Sequence, residues 1–108
     1  MDAKTQARFE ARARIIRALA HPSRLFMLEE LAKGERCVCE LTALVGADIS
    51  TVSKHLSILK LAGIVEDEKR GVQVFYRLRD TPVPGLLRQV ESVLRQNLRD
   101  QMEMVGAL

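Results

Sequence analysis

The sequence predicts a mainly α-helical fold with one small β-hairpin, in the order α-α-α-α-β-β-α. Three observations predict it. Apolar residues recur at helical spacing over residues 5–62 and again over 85–104. Between these stretches, over residues 64–79, the spacing changes to the period of two that marks strands. Gly34, Gly46 and Gly63 fall at helix-length intervals, each where a glycine just past a helix C-terminus belongs. The chain has 108 residues, the size of one small domain spanning 1–108. It is 47% hydrophobic but only 4% aromatic, with no Trp, which suits a core of Leu, Ala, Val and Ile. So short a chain has little interior, and burial of further surface in a dimer is expected.

The first helix is expected from Thr5 to Ala20, where Phe9, Ala13, Ile16 and Ala20 recur at i, i+4, i+7 and i+11. Pro22 fits the first turn of a second helix, because the N–H it lacks is one that turn leaves unbonded. Leu25, Leu28, Leu31 and Ala32 give that helix a buried stripe, and Gly34 ends it. A short third helix, Val38 to Val45, turns Leu41, Leu44 and Val45 inward and carries both cysteines at its start. Asp48 is the expected N-cap of a fourth helix, Ile49 to Ala62. There Ile49, Val52, Leu56 and Leu59 share one arc, with Ser50, Thr51, Lys54, His55 and Ser57 largely on the other. Ile64-Val65, then Val72, Val74, Tyr76 and Leu78, read as two strands, with Lys69-Arg70-Gly71 at the hairpin tip. Pro82 and Pro84 break the chain. A last helix, Gly85 to Met104, carries Leu86, Val90, Val93, Leu94, Leu98 and Met102 as an apolar stripe, read as a dimer contact. Two short helices, a tight turn at Gly46, a polar-faced helix and a basic hairpin describe a winged helix–turn–helix. Residues 38–63 are its helix–turn–helix and 64–79 its wing, flanked by dimerisation helices at 5–20 and 85–104.

The formal charge is +3 and the pI about 9.2, a mild basic bias compatible with a nucleic-acid partner. Residues 50–79 hold six basic side chains (Lys54, Lys60, Lys69, Arg70, Arg77, Arg79) against three acidic ones (Glu66, Asp67, Glu68). The whole excess of the chain can therefore reside in this segment. Small hydroxyls at Ser50, Thr51 and Ser53 let a helix end approach the floor of the major groove, while Lys54 and His55 can donate to phosphate or guanine. Lys69, Arg70 and Arg77 are candidate phosphate contacts. The charged N-terminus resembles no signal peptide, and no apolar run approaches the ~20 residues that span a membrane, so a cytoplasmic protein without a membrane partner is expected.

Cys37 and Cys39 are the only cysteines. A disulfide between positions i and i+2 closes a small strained ring, so free thiols in a reducing compartment are expected. A helix N-terminus lowers thiol pKa, and soft thiolates select thiophilic ions over calcium or magnesium. Two sulfurs do not complete a tetrahedral zinc site. They suit trivalent arsenic or antimony, with a third position filled by hydroxide or a small thiol. On a helix, side chains at i and i+2 diverge by roughly 200°, whereas on an extended segment they share a side. Binding one ion through both sulfurs is therefore expected to unwind, or hold open, the first turn of the third helix.

Ala-His-Pro-Ser-Arg-Leu at 20–25, Cys-Val-Cys-Glu-Leu at 37–41 and Ser-Thr-Val-Ser-Lys-His-Leu at 50–56 resemble the ArsR/SmtB family of metalloregulatory repressors. So do Leu-Ala-Gly-Ile-Val at 61–65 and Gly-Val-Gln-Val-Phe-Tyr-Arg-Leu at 71–78. The resemblance covers about residues 8–80, and the cysteine segment resembles the arsenite-sensing branch. It implies a homodimer, held by its first and last helices, that blocks a promoter until its inducer binds. No cofactor is required. The inducer would be arsenite or antimonite at Cys37 and Cys39, and the partner operator DNA with an inverted repeat. Two departures stand out. Many arsenite sensors of this type carry a third cysteine three residues after the pair, where this chain has Thr42. Zinc-sensing relatives place His and acidic ligands on the final helix, and this one has no His there; His21 is read as a helix-start residue without a metal role. An alternative keeps the fold and makes the thiols a redox sensor. An enzyme is not expected, since C-x-x-C and any recognisable motif that would position a base are lacking.

Overall fold

A computed structural model describes residues 1–107. The elements are α1 (Ala3–Leu19), α2 (Pro22–Ala32), β1 (Arg36–Cys37), α3 (Val38–Val45), α4 (Ile49–Leu61), β2 (Val65–Arg70), β3 (Gln73–Leu78) and α5 (Val83–Gly106). The expected order stands with one addition. The short strand β1 turns the hairpin into a three-stranded antiparallel sheet, in the spatial order β1-β3-β2. Arg36 pairs with Tyr76 and Cys37 with Phe75. Two residues are too few to show a period, so nothing local marked this strand.

The helix boundaries follow from their caps. The Asp2 carboxylate accepts from the Thr5 N–H at 2.7 Å and starts α1. His21 caps α2, its Nδ1 accepting from the Ser23 N–H at 3.1 Å, with Pro22 in the first turn. Gly46, at φ +76°, ends α3 in the left-handed conformation that a β-carbon disfavours. α4 closes with the paired bonds of a Schellman motif: Ile64 N–H to Leu59 C=O and Gly63 N–H to Lys60 C=O, both 3.0 Å. At α5 the expectation needs correction. Pro84 does not break the chain; it lies inside the first helical turn, where its missing N–H costs nothing, so the helix begins at Val83 rather than Gly85.

One core joins α2, α3, α4 and the sheet. Met27, Leu28, Leu31, Leu41, Val52, Leu56, Leu59, Ile64, Val65 and Tyr76 are buried in it, with Ala18, Leu19 and Val83 at its edge. Several positions expected inside are not. α2 packs by the Met27–Leu28–Leu31 face, which leaves Leu25 and Ala32 exposed. Ile49, in the first turn of α4, is 59% exposed, and Leu44 is exposed on α3. Val72 is no strand residue; it sits at the turn between β2 and β3 and is 99% exposed. The apolar stripes of α1 (Phe9, Ile16) and α5 (Leu86, Val90, Val93, Leu94, Leu98, Met102) are also uncovered within one chain. Among the described residues, no helix is long and apolar enough to cross a membrane.

Leu56, fully buried at the centre of α4, ties the helix–turn–helix to the rest of the core. Leu56→Ala is expected to lower unfolding stability by about 2–5 kcal/mol, through lost transfer energy plus a cavity. Urea denaturation measures this.

Candidate nucleic-acid interface and cysteine pair

α4 is presented for contact by the turn between Gly46 and Asp48. Asp48 has the extended backbone of an N-cap, and its C=O accepts from the Val52 N–H at 3.1 Å. Its carboxylate accepts from the Ser50 hydroxyl at 2.6 Å, a bond that holds the group below the usual Asp range. Of the sequence-selected residues on α4, Ser50, Thr51 and Lys54 are exposed and Ser53 and His55 are half-buried. His55 is occupied within the fold. Its Nδ1 lies 3.0 Å from the Arg24 guanidinium, and its ring sits 4.2 Å from that of His21. A guanidinium only donates, so Nδ1 accepts and the ring proton is on Nε2. Arg24 in turn donates to the Ala18 carbonyl at 2.7 Å, so this contact joins α4, α2 and the end of α1. Burial, and then the charges of His21, Arg24 and Lys54, push the His55 pKa down, which keeps the imidazole neutral.

The wing turns at Gly71, at φ +63°, with Arg70 opposite Gln73. Its arginines are not free. Arg70 donates to both Glu35 oxygens at 2.6 and 2.8 Å and to Glu68 at 2.7 Å, and lies 4.6 Å over the Phe75 ring. Arg77 donates to Glu66 at 2.9 Å and Glu68 at 3.3 Å, with Glu35 at 3.7 Å. Arg70 holds the Glu35 and Glu68 carboxyls below the usual Glu range. Lys60 pairs with Asp67 at 2.9 Å. Much of the basic excess expected in this segment is thus matched locally, and among the described residues Lys54, Lys69 and Arg79 have no acidic partner. Glu66 and Arg77 stand opposite each other in the hairpin, a register that the expected tip at 69–71 with Val72 in the strand did not give. Glu35 had no signal in the sequence, because 35 residues separate it from Arg70.

The cysteine pair departs from expectation. Cys37 and Cys39 form a disulfide, with Cα atoms 5.3 Å apart, rather than standing as free thiols. Nor does bringing the sulfurs together need α3 to unwind. Cys37 lies outside the helix, at the end of β1, with the extended backbone of an N-cap (φ −76°, ψ 160°), while Cys39 is inside the first turn. The divergence of roughly 200° holds only for two residues that are both helical. A capping box completes the start of α3. Cys37 Sγ accepts from the Glu40 N–H at 3.2 Å, and the Glu40 carboxylate accepts from the Cys37 N–H at 3.1 Å. Cys37 is 3% exposed, whereas Cys39 faces solvent with the Gln73 amide 4.0 Å from its sulfur. Thr42 lies one turn after Cys39, its Oγ1 buried without a hydrogen-bond partner among the described residues. Among those residues no three His, Cys, Asp or Glu side chains group as a metal site.

The sequence pattern described as "Bacterial regulatory protein, arsR family" matches residues 21–67, from the cap of α2 into β2. An uncharacterized HTH-type transcriptional regulator of Methanocaldococcus jannaschii is 37% identical over 87 residues, 80% of this chain and 98% of the relative. The chain belongs to the ArsR/SmtB family. A "Transcriptional repressor SmtB homolog" of Synechocystis sp. is 39% identical over 85 residues; the match takes in 79% of this chain and 64% of that relative's length. Among solved structures, the homodimeric winged helix–turn–helix DNA-binding domain of a possible ArsR-family regulator from Mycobacterium bovis superposes with a TM-score of 0.78 at 32% identity. It covers 93% of each chain. The winged helix–turn–helix read from the sequence is therefore the fold of this ArsR/SmtB chain, and transcriptional regulation is its family's work.

For an ArsR/SmtB chain with this surface, two groups of residues are expected to have separable roles on DNA. Lys69→Ala is expected to weaken binding to all duplexes alike and to lower the slope of log K against log salt by about one unit, as one lost phosphate contact does. Thr51→Ala is expected instead to blur preference among related duplexes. Binding titrations at several salt concentrations, on selected and mixed-sequence DNA, measure both.

The neutral His55 also makes stability depend on pH. Unfolded, the ring takes up a proton near its ordinary value of 6.5; folded, it resists. The unfolded state thus binds more protons below about pH 6.5, and this contribution is lost as pH falls. Lowering pH from about 7.5 to about 5.5 is expected to reduce the urea midpoint more for native protein than for His55→Gln.

Proposed function

We propose that this chain is a homodimeric transcriptional repressor. It would bind an inverted-repeat operator in the cytoplasm through α4 and the wing, and leave it when trivalent arsenic or antimony occupies the reduced Cys37 and Cys39 pair. The observation that carries the switch is the convergence of the two sulfurs at the β1–α3 junction, on a strand paired to the wing. The homodimer rests on the uncovered stripes of α1 and α5 and on the dimeric state of the M. bovis relative. A two-fold protein meets half-sites about 10–10.5 bp apart, or a multiple of that. The donor set fits a soft trivalent ion: two thiolates, one at a helix N-terminus, with room at the exposed Cys39 for an exogenous third ligand. Thr42 supplies no soft ligand.

The disulfide favours a second reading, that of a thiol redox sensor of the same fold. Exposed Cys39 would be the attacking thiolate and buried Cys37 the resolving one. With hydrogen peroxide as oxidant, Cys39 sulfur takes one oxygen, the O–O bond breaks and the first water leaves. Cys37 sulfur then displaces the second water. Two electrons and two thiol protons pass to the peroxide, giving the disulfide and two waters.

DNA release separates the readings. Protein kept reduced with a phosphine, on a duplex selected from a random pool, is titrated with arsenite and, after removal of the phosphine, with peroxide. Cys37→Ser and Cys39→Ser are expected to keep DNA binding and lose arsenite release, and Thr42→Cys to tighten arsenite binding. Arsenite release of native strength from the Cys37→Ser, Cys39→Ser double variant would refute the sensor. Release by peroxide alone, reversed by reductant, would transfer the function to redox.

A further inference from the structure

Glu35 lies two residues before Cys37, on the segment that leads into β1. Its carboxylate takes the Arg70 guanidinium by both oxygens, at 2.6 and 2.8 Å. A carboxylate that grips a guanidinium by two oxygens fills the same paired donors a DNA phosphate would use. Arg70 sits at the wing tip, where a basic side chain meets a phosphate backbone. The same stretch is fixed to the wing twice more. Cys37 pairs with Phe75, over whose ring Arg70 lies, and Cys39 approaches Gln73, the residue opposite Arg70. Both ends of the cysteine pair therefore touch the residues that hold the wing tip.

We propose that Glu35 is a phosphate surrogate that latches Arg70 to β1, so that the state of the Cys37–Cys39 pair sets whether Arg70 is available to the DNA backbone. The inference rests on the reading of that pair as the switch. With the disulfide closed, Cys37 is tied to the first turn of α3 and β1 is held in register, so Glu35 stays on Arg70. With the thiols separate, β1 is held only by its two pairings and the capping box, and phosphate competes for Arg70 on better terms. The exchange is feasible because both side chains are partly solvated, where an ion pair contributes little net stability. Glu35 is a positioning residue: it touches no DNA and acts through Arg70.

The test is the salt dependence of binding to a mixed-sequence duplex, which counts phosphate contacts without requiring the operator. Native protein, Glu35→Gln and Arg70→Ala are each measured as disulfide, after peroxide, and as dithiol, in phosphine. The reduced native protein is expected to show a slope about one unit steeper than the oxidised form, equivalent to one more phosphate contact. Glu35→Gln is expected to show the steeper slope in both states, and Arg70→Ala the shallower slope in both. If native protein changes slope with redox state and Glu35→Gln or Arg70→Ala keeps that change, the latch is wrong while the switch stands. If native protein binds identically in both states, the latch and the redox reading both fail, while release by arsenite is decided by its own titration.

Discussion

The pairing of β1 with β3 is the constraint on which the rest of the site depends. Two residues of strand, Arg36 and Cys37, dock on Tyr76 and Phe75. Because Cys37 is strand at one side and N-cap at the other, the chain changes from extended to helical across a single residue. That change allows Cys37 and Cys39 to meet, since an extended residue and a helical one aim their side chains by different rules. It also fixes where α3 starts. α3 then sets the direction of α4 through the left-handed turn at Gly46. A shift in β1 would therefore be felt at the cysteines, at α4 and in the wing.

The second organising feature is electrostatic. The wing carries basic residues, yet Glu35, Glu66 and Glu68 answer Arg70 and Arg77 within the same sheet. Exposed pairs of this kind add little to stability, so their main effect is on availability. A guanidinium already seated on a carboxylate must exchange partners before it can take a phosphate. Lys54 and Lys69, which have no acidic partner among the described residues, need no such exchange. The surface thus holds two classes of cation, ready and conditional, which net charge alone does not distinguish.

The histidine contact anchors α4 to the rest of the fold. Arg24 reaches from α2 to the end of α1 and to His55 on α4, and the His21 ring lies beside it. A hydrogen bond to a neutral imidazole serves there without leaving a second positive charge beside Arg24. His55, read with Lys54 as a DNA donor in the sequence, is in the folded chain part of the joint between α4, α2 and the end of α1.

Helix number, order and approximate limits were legible in the sequence, because they rest on local matters: spacing of apolar residues, Pro22 in a first turn, and glycines at helix ends. The hairpin was legible too, from the period of two around a basic turn; its register, and with it the Glu66–Arg77 pair, was not, because Val72 lies in the turn. The family was carried by motifs at 20–25, 37–41 and 50–56 and needed no coordinates. The tertiary structure decided what depends on residues distant in the chain. It added β1, whose existence lies in its partner strand rather than in its own two residues. It paired Cys37 with Phe75 on the wing, closed the cysteine pair, brought Glu35 onto Arg70, and turned His55 toward Arg24. Sequence spacing specifies which side chains share a face of one element; which face meets which depends on packing between elements, and the cysteine pair and the wing meet there.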